Sequence, residues 1–372
     1  MIGALRTPAQ QLVTVFGGSG FLGRFVVRAL AKRGYRVLVA VRRPELAGHL
    51  QPLGMVGQIH VVQANLRYPE SVAHAVAKAD HVINLVGILQ ESGAQGFGAL
   101  QAEGPGLIAR AAAPDARVIH VSAIGADAAS ESLYARSKAE GEAGLFAARP
   151  DATVFRPSVL FGPGDGFFTR FAGLARTLPV MPLAGADTRF QAVYAGDVAE
   201  AIARAVDGSI PGGRVYELGG PEVKTLRELV EYVLATTERR RPILPLPWSV
   251  ARVQGTVLGT LDRFSLGLMP RDFVITRDQV TLLESDNVVS EEARREGRTL
   301  EGIGITPTAP EAIVPSYLVR FRKSGQFDLR RAAVPSAAPD DLAPRSHGDE
   351  SNFQPGRASG PAIGQQASGG PR

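Results

Sequence analysis

Cysteine is absent from the 372 residues of the chain. That single absence excludes disulfides, thiolate metal sites and cysteine nucleophiles. The six histidines are scattered, with no His-x-His or His-x-x-x-His pair, so no bound metal is expected. His60 and His120 fall in β-like runs and read as packing or edge residues. Long apolar runs are missing too: none reaches the roughly 18 residues that a membrane-spanning helix needs. The first predicted strand starts about ten residues in, which leaves no room for a cleaved secretory signal and makes a cytoplasmic protein the expectation. Charge imbalance is mild. The formal net charge is +5, part of it in the run Arg239-Arg240-Arg241, and no nucleic-acid-binding motif accompanies it, so nucleic acid is not an expected partner. An acidic partner or an anionic membrane surface remains compatible with the excess.

What is present is the composition of a soluble globular protein, 45% hydrophobic and 21% charged. The first 160 or so residues alternate short β-branched runs with helical stretches, the rhythm of a parallel sheet with crossover helices. Strands are expected at Leu12–Phe16, Arg36–Val41, Ile59–Val62, His81–Leu85, Arg117–Val121 and Thr153–Phe155. Their apolar character on both faces belongs inside a sheet covered by helices on each side. Beyond Gly162 the pattern loosens into helical stretches, Asp197–Val206 and Thr225–Thr236, separated by irregular segments rich in Pro and Gly. The expectation is an α/β fold: a doubly wound parallel sheet over residues 11–165, its core continuing to about 240, with a smaller C-terminal lobe over 166–330. From about residue 331 to 372 the chain is rich in Pro, Gly, Ala, Ser and Asp and reads as a disordered tail.

Between the first strand and the first helix runs Gly17-Gly18-Ser19-Gly20-Phe21-Leu22-Gly23. A G-x-x-G-x-x-G loop in that position is the dinucleotide-binding signature of a Rossmann domain. Gly17 permits the tight turn, Gly20 lets the backbone approach a pyrophosphate, and Gly23 lets the helix pack closely. Free amides at the helix start then meet the phosphates. An NAD site usually carries Asp or Glu at the end of the second strand, to accept the ribose hydroxyls. Here that strand ends Val41-Arg42-Arg43, with no carboxylate before Glu45. Two guanidiniums suit a 2′-phosphate, so NADPH is the expected cofactor, with NADP(H) preferred over NAD(H).

Tyr134-Ala135-Arg136-Ser137-Lys138 places a tyrosine and a lysine on one face of a predicted helix. The lysine can lower the phenol pKa and hold the cofactor ribose, while the phenol exchanges a proton with a substrate oxygen. Ser122, at the end of the fifth strand, would orient that oxygen. The spacing is common on exposed helices and gains weight only after the glycine loop. Together these residues resemble the short-chain dehydrogenase/reductase superfamily, in its extended and atypical members. Asn65-Leu66 sits where that family places an Asp-Leu pair beside the adenine. Val86-Gly87, in Asn84-Leu85-Val86-Gly87, resembles its cofactor-lining segment. Pro157-Ser158, in the stretch from Arg156 to Asp165, resembles its segment near the nicotinamide, and Arg189 to Ala199 matches a further stretch.

A narrower resemblance is to the 39-kDa-type accessory-subunit family of respiratory complex I, NADH:ubiquinone oxidoreductase. It is carried by Phe16 to Val27, Val82 to Gly87 and Ile119 to Ser122, and in the C-terminal lobe by Leu244-Pro245-Leu246-Pro247 and Val274 to Val280. What this resemblance implies is an accessory or assembly subunit holding NADPH as a structural ligand. Complex I subunits would be its partners, and its place would be peripheral, on the cytoplasmic side of the inner membrane. Ser122 precedes Tyr134 by only twelve residues, a shorter interval than active extended enzymes have, so Tyr134 and Lys138 either catalyse or only bind the ribose. The alternative is an NADP(H)-dependent reductase, dehydrogenase or nucleotide-sugar epimerase using Ser122, Tyr134 and Lys138. A weaker third reading is a redox-sensing regulator. In the lobe, a helix capped by Ser249 and ending near Gly259, followed by the apolar cluster Phe264, Leu266, Leu268 and Met269, would pack in the core or offer a membrane or docking surface.

Overall fold

The computed structural model of the chain describes residues 6–91, 93, 95–253 and 276–323. Six strands form the front of the chain: β1 (Leu12–Phe16), β2 (Arg36–Val41), β3 (Ile59–Gln63), β4 (His81–Asn84), β5 (Arg117–Val121) and β6 (Thr153–Pro157). Short strands follow as β7 (Leu160–Phe161), β8 (Met181–Ala184), β9 (Arg189–Phe190) and β10 (Val193–Tyr194), then β11 (Arg214–Leu218), β12 (Lys224–Thr225) and β13 (Ile243–Leu246). The central sheet has seven strands in the order β11-β6-β5-β4-β1-β2-β3, all parallel. This is the doubly wound sheet expected from the sequence.

Helices among the described residues include α1 (Phe21–Lys32), α2 (Pro69–Val76), α3 (Gly104–Ala111), α4 (Leu133–Ala148), α5 (Phe168–Thr177), α6 (Ala195–Asp207) and α7 (Leu226–Thr236). Two cores flank the sheet. Val13, Val15, Val37, Val39 and Phe155 face α1 and α6 on one side. Phe16, Val82, Val118 and Val154 face α2, α3 and α4 on the other. Strands buried on both faces need no polar alternation, which is why their sequences are continuous apolar runs. Truncating a side chain with no exposure, such as Leu30, to alanine typically costs about 2–5 kcal/mol.

A third core belongs to the C-terminal lobe, where Phe161, Phe168, Met181, Leu229 and Val233 meet Val314 and Leu318 of the helix Pro310–Leu318. Thr225 and Glu228 form a capping box that starts α7. One expectation needs correction. The chain becomes helical at 248, so Ser249 lies inside that helix and does not cap it. The Ala251 amide donates to the Pro247 carbonyl over 3.0 Å, which closes the first turn two residues ahead of the serine. The expected apolar cluster Phe264 to Met269, the helix end near Gly259 and the tail from 331 lie outside the described residues.

Candidate functional site

The sheet order reverses between β1 and β4, and a doubly wound sheet binds ligands in the crevice beyond such strand ends. Gly17 leaves β1 with a φ of 77°, in the left-handed region. Its amide donates to Ala40 O over 3.2 Å, and its carbonyl accepts from the Gly20 amide over 3.0 Å. Gly20 is the N-cap of α1, and no side chain caps that helix. The first amides of α1 are therefore left without a side-chain acceptor, the arrangement that suits an anion. A Cβ on Gly23 would collide with the Gly18 and Gly17 carbonyls, so the helix rests directly on the loop.

Beside this turn lies a cleft of about 240 Å³. Gly17, Ser19 and Gly20 line it from the loop, Arg42 from the end of β2, and Asn65 and Leu66 from the segment after β3. Val86 and Gly87 line it after β4. Other expected loop residues support it from behind: Leu22 is buried in the core, and the Gly18 backbone packs against Val39. Phe21 meets Phe25 edge-on at 5.6 Å. Arg42 and Arg43 are exposed, and Arg43 is not among the cleft-lining residues. The Asn65 Oδ1 accepts from the Arg67 amide over 3.1 Å, which fixes the turn after β3.

Deeper along the strand ends, α4 brings Tyr134 and Lys138 onto one face. The Lys138 ammonium donates to the Val121 carbonyl over 3.3 Å and sits 5.9 Å from the centroid of the Tyr134 ring. A Cβ on Gly87 would come within 3.2 Å of the same ammonium, so the lysine reaches the cleft-lining segment. Burial pulls the Lys138 pKa down to about 8, against the pull of Glu142. Burial also pushes the Tyr134 phenol up to about 12, so it is protonated at neutral pH. Glu142 is held in turn by Arg156, at 2.9 and 2.6 Å.

Around this pair sit polar atoms with no partner among the described residues. They are Ser122 Oγ, Asn84 Nδ2 and both ring nitrogens of His120, all on buried residues. Asn84 and His120 face each other across β4 and β5. Burial, then the Lys138 charge, lowers the His120 pKa to about 3, so the ring is neutral. Unpartnered buried polar groups are rare and costly unless something else satisfies them. The orphaned groups, the open amides of α1 and the glycine cradle together fit a dinucleotide.

Ser158 is engaged by the C-terminal segment. Its hydroxyl lies 2.6 Å from Asn287 Oδ1 and 2.9 Å from Asn287 O, and Asn287 Nδ2 donates to Ile124 O over 3.3 Å. Ser158 thus ties the C-terminal segment over β5 and β6, next to the buried Pro157. Sequence reasoning did not single out Gln95 and Gln101. Gln95 lines the cleft with its Oε1 buried and unpartnered. Gln101 accepts from the Ile88 amide over 2.9 Å and donates to Ser137 Oγ over 3.0 Å, tying the cleft wall to α4. A glutamine in a helical stretch carries no signal of such a role; Asn84, in the matched segment before Gly87, did.

Residues 13–219 match the NAD dependent epimerase/dehydratase family. The chain is 33% identical over 321 residues to NADH dehydrogenase (ubiquinone) 1 alpha subcomplex subunit 9, mitochondrial, of Arabidopsis thaliana, covering 84% of this chain and 79% of that protein. It is 34% identical over 196 residues to a ceramide reductase of Caulobacter vibrioides, covering 52% of this chain and 61% of that protein. Among solved structures it resembles an NADPH-dependent quinone oxidoreductase of Escherichia coli complexed with NADPH. The TM-score is 0.62 at 20% identity, over 82% of this chain and 99% of that one.

Proposed function

The chain belongs to the NAD dependent epimerase/dehydratase family, and from that premise we propose that it is an NADPH-holding accessory or assembly subunit of respiratory complex I. The observation that carries this reading is the extent of the match to the complex I subunit of Arabidopsis thaliana, 84% of the chain. That similarity runs well beyond the family region of residues 13–219.

Preference for NADPH is supported by the end of β2. Arg42 lines the cleft, no acidic residue stands beside it, and the guanidinium is unpaired among the described residues. A 2′-phosphate offers it a bidentate partner. A structural role for the cofactor is supported by the short interval from Ser122 to Tyr134, since catalytic geometry tolerates little displacement. Docking through the C-terminal lobe, at the cytoplasmic side of the inner membrane, is supported by the exposed Leu244, Trp248, Val250 and Val253. Gentle purification of tagged protein from solubilised membranes tests the proposal. It should yield bound NADPH together with complex I subunits; recovery of the protein alone overturns the subunit assignment.

A second reading, an NADP(H)-dependent reductase, is favoured by the ceramide reductase similarity and by the retained Ser122, Tyr134 and Lys138. A bound nicotinamide would supply or accept hydride. Tyr134, protonated at neutral pH, would then deliver a proton to a substrate carbonyl oxygen oriented by Ser122, with Lys138 holding the ribose. Substrate-dependent oxidation of NADPH, lost in Tyr134→Phe, would establish this reading, and inertness across carbonyl substrates would end it.

A further inference from the structure

The segment Thr276-Arg277-Asp278-Gln279-Val280, part of one of the lobe motifs noted in the sequence, is absorbed by neither reading above. It forms the start of a short helix, Arg277–Leu282, opened by a capping box between Thr276 and Gln279. Asp278 lies in the first turn of that helix. Its carboxylate reaches across to the N-terminus of α4: Oδ1 accepts from the Leu133 amide over 2.7 Å, and Oδ2 accepts from the Tyr134 amide over 3.3 Å. The buried Ser132 hydroxyl donates to Oδ2 over 3.0 Å, while its oxygen accepts from the Ala135 amide over 3.3 Å.

The first turn of α4 thus depends on a residue about 145 positions later in the chain. A carboxylate accepting from the N-terminal amides interacts favourably with the positive end of the helix dipole and fixes the turn. That turn carries Tyr134 itself, and Lys138 lies one turn further on. The Tyr134 ring packs edge-on against Phe97 at 6.1 Å, and Lys138 is buried beside that ring, but few hydrogen bonds hold their polar ends. The Tyr134 hydroxyl makes no hydrogen bond among the described residues, and the Lys138 ammonium holds a single carbonyl, that of Val121. Where the helix backbone sits therefore sets how far both polar ends reach toward the cleft.

We propose that Asp278 is a positioning residue of the cofactor site: it anchors the N-terminal turn of α4 and so sets Tyr134 and Lys138 for the cofactor ribose. The C-terminal lobe is thereby coupled to cofactor affinity through one carboxylate. By linkage, whatever holds this lobe segment in place tightens cofactor binding, and cofactor binding tightens that hold in return.

This rests on the NADPH reading above, and titration of the full-length protein with NADPH separates the two. If the unsubstituted protein does not bind NADPH, the functional reading fails before any variant is made. If it binds, Asp278→Ala should weaken NADPH affinity by about tenfold, the scale of losing charge-assisted hydrogen bonds in a positioning role. Asp278→Asn retains one acceptor oxygen and should recover part of that loss. It also serves as the deciding variant where the alanine form does not fold. Ser290→Ala is the control, because Ser290 caps another helix of the same lobe through the Ala293 amide. It should lower Tm without changing NADPH affinity. Asp278 variants that bind NADPH as the unsubstituted protein does would overturn the proposal. So would a Ser290→Ala variant that weakens binding as much as they do.

Discussion

Arg42 and His120 are two residues whose surroundings make opposite demands. Arg42 stands exposed at the edge of the cleft, with no carboxylate partner among the described residues. Arg42→Ala should weaken NADPH binding about tenfold while leaving NADH affinity within about twofold, a selectivity read by parallel fluorescence titrations. Equal losses for both nucleotides would remove the 2′-phosphate assignment. His120 is buried and neutral, with its pKa lowered to about 3 by burial first and by Lys138 second. The folded value lies below the unfolded one, so the unfolded chain takes up the extra proton. Stability from this residue is intact above the ordinary histidine range and is lost as the pH falls from there toward 3. His81, lowered to about 4 mainly by burial, acts in the same window. His120→Leu should therefore be more acid-resistant than the unsubstituted protein by about 1–3 kcal/mol near pH 4. Denaturant melts at pH 7 and pH 4 would measure the difference, and identical pH slopes would refute it.

At the scale of the element, α1 and its loop form one rigid part. Gly17 turns the chain at positive φ, and the absent Cβ of Gly23 lets α1 lie on the Gly18 and Gly17 carbonyls. Gly23→Ala forces the helix away from the loop. The expected cost is about 1–3 kcal/mol of stability, the range for overpacking a tight contact. Dinucleotide binding should fall with it, because the α1 amides would no longer face the cleft. Thermal melting with and without NADPH tests both parts, and a variant that still gains full stabilisation from NADPH would show the contact to be dispensable. Helix α4 depends on longer-range support. Its first turn is held by Asp278, and its Glu142 is held by Arg156 of β6. The expected strands matched closely because most of them are buried on both faces, the edge strand β3 excepted. The differences came at ends: β3 runs on to Gln63, β4 stops at Asn84 and β6 runs on to Pro157. There, hydrogen bonds to neighbouring strands set the boundary, and side-chain pattern does not encode them.

At the scale of the whole molecule, a protein that carries orphaned polar groups in its cofactor region should be markedly stabilised when that region is filled. NADPH at about a hundredfold over its Kd should add about 2.7 kcal/mol to the unfolding free energy. NADH at the same concentration should add less, and a melting temperature indifferent to both would argue against a dinucleotide site. The architecture and the glycine loop were determined by the sequence alone. Buried parallel strands must be apolar throughout, and a turn at positive φ that meets a helix without a Cβ must be glycine; both are local demands written where they act. The tertiary structure alone decided which groups meet at the site. Ser158 was drawn to Asn287, Gln101 joined the cleft wall to α4, and Asp278 came to rest on the amides that present Tyr134. Each is a pairing of a common polar side chain with a distant partner, and much of that pairing is with backbone, which looks the same in every sequence.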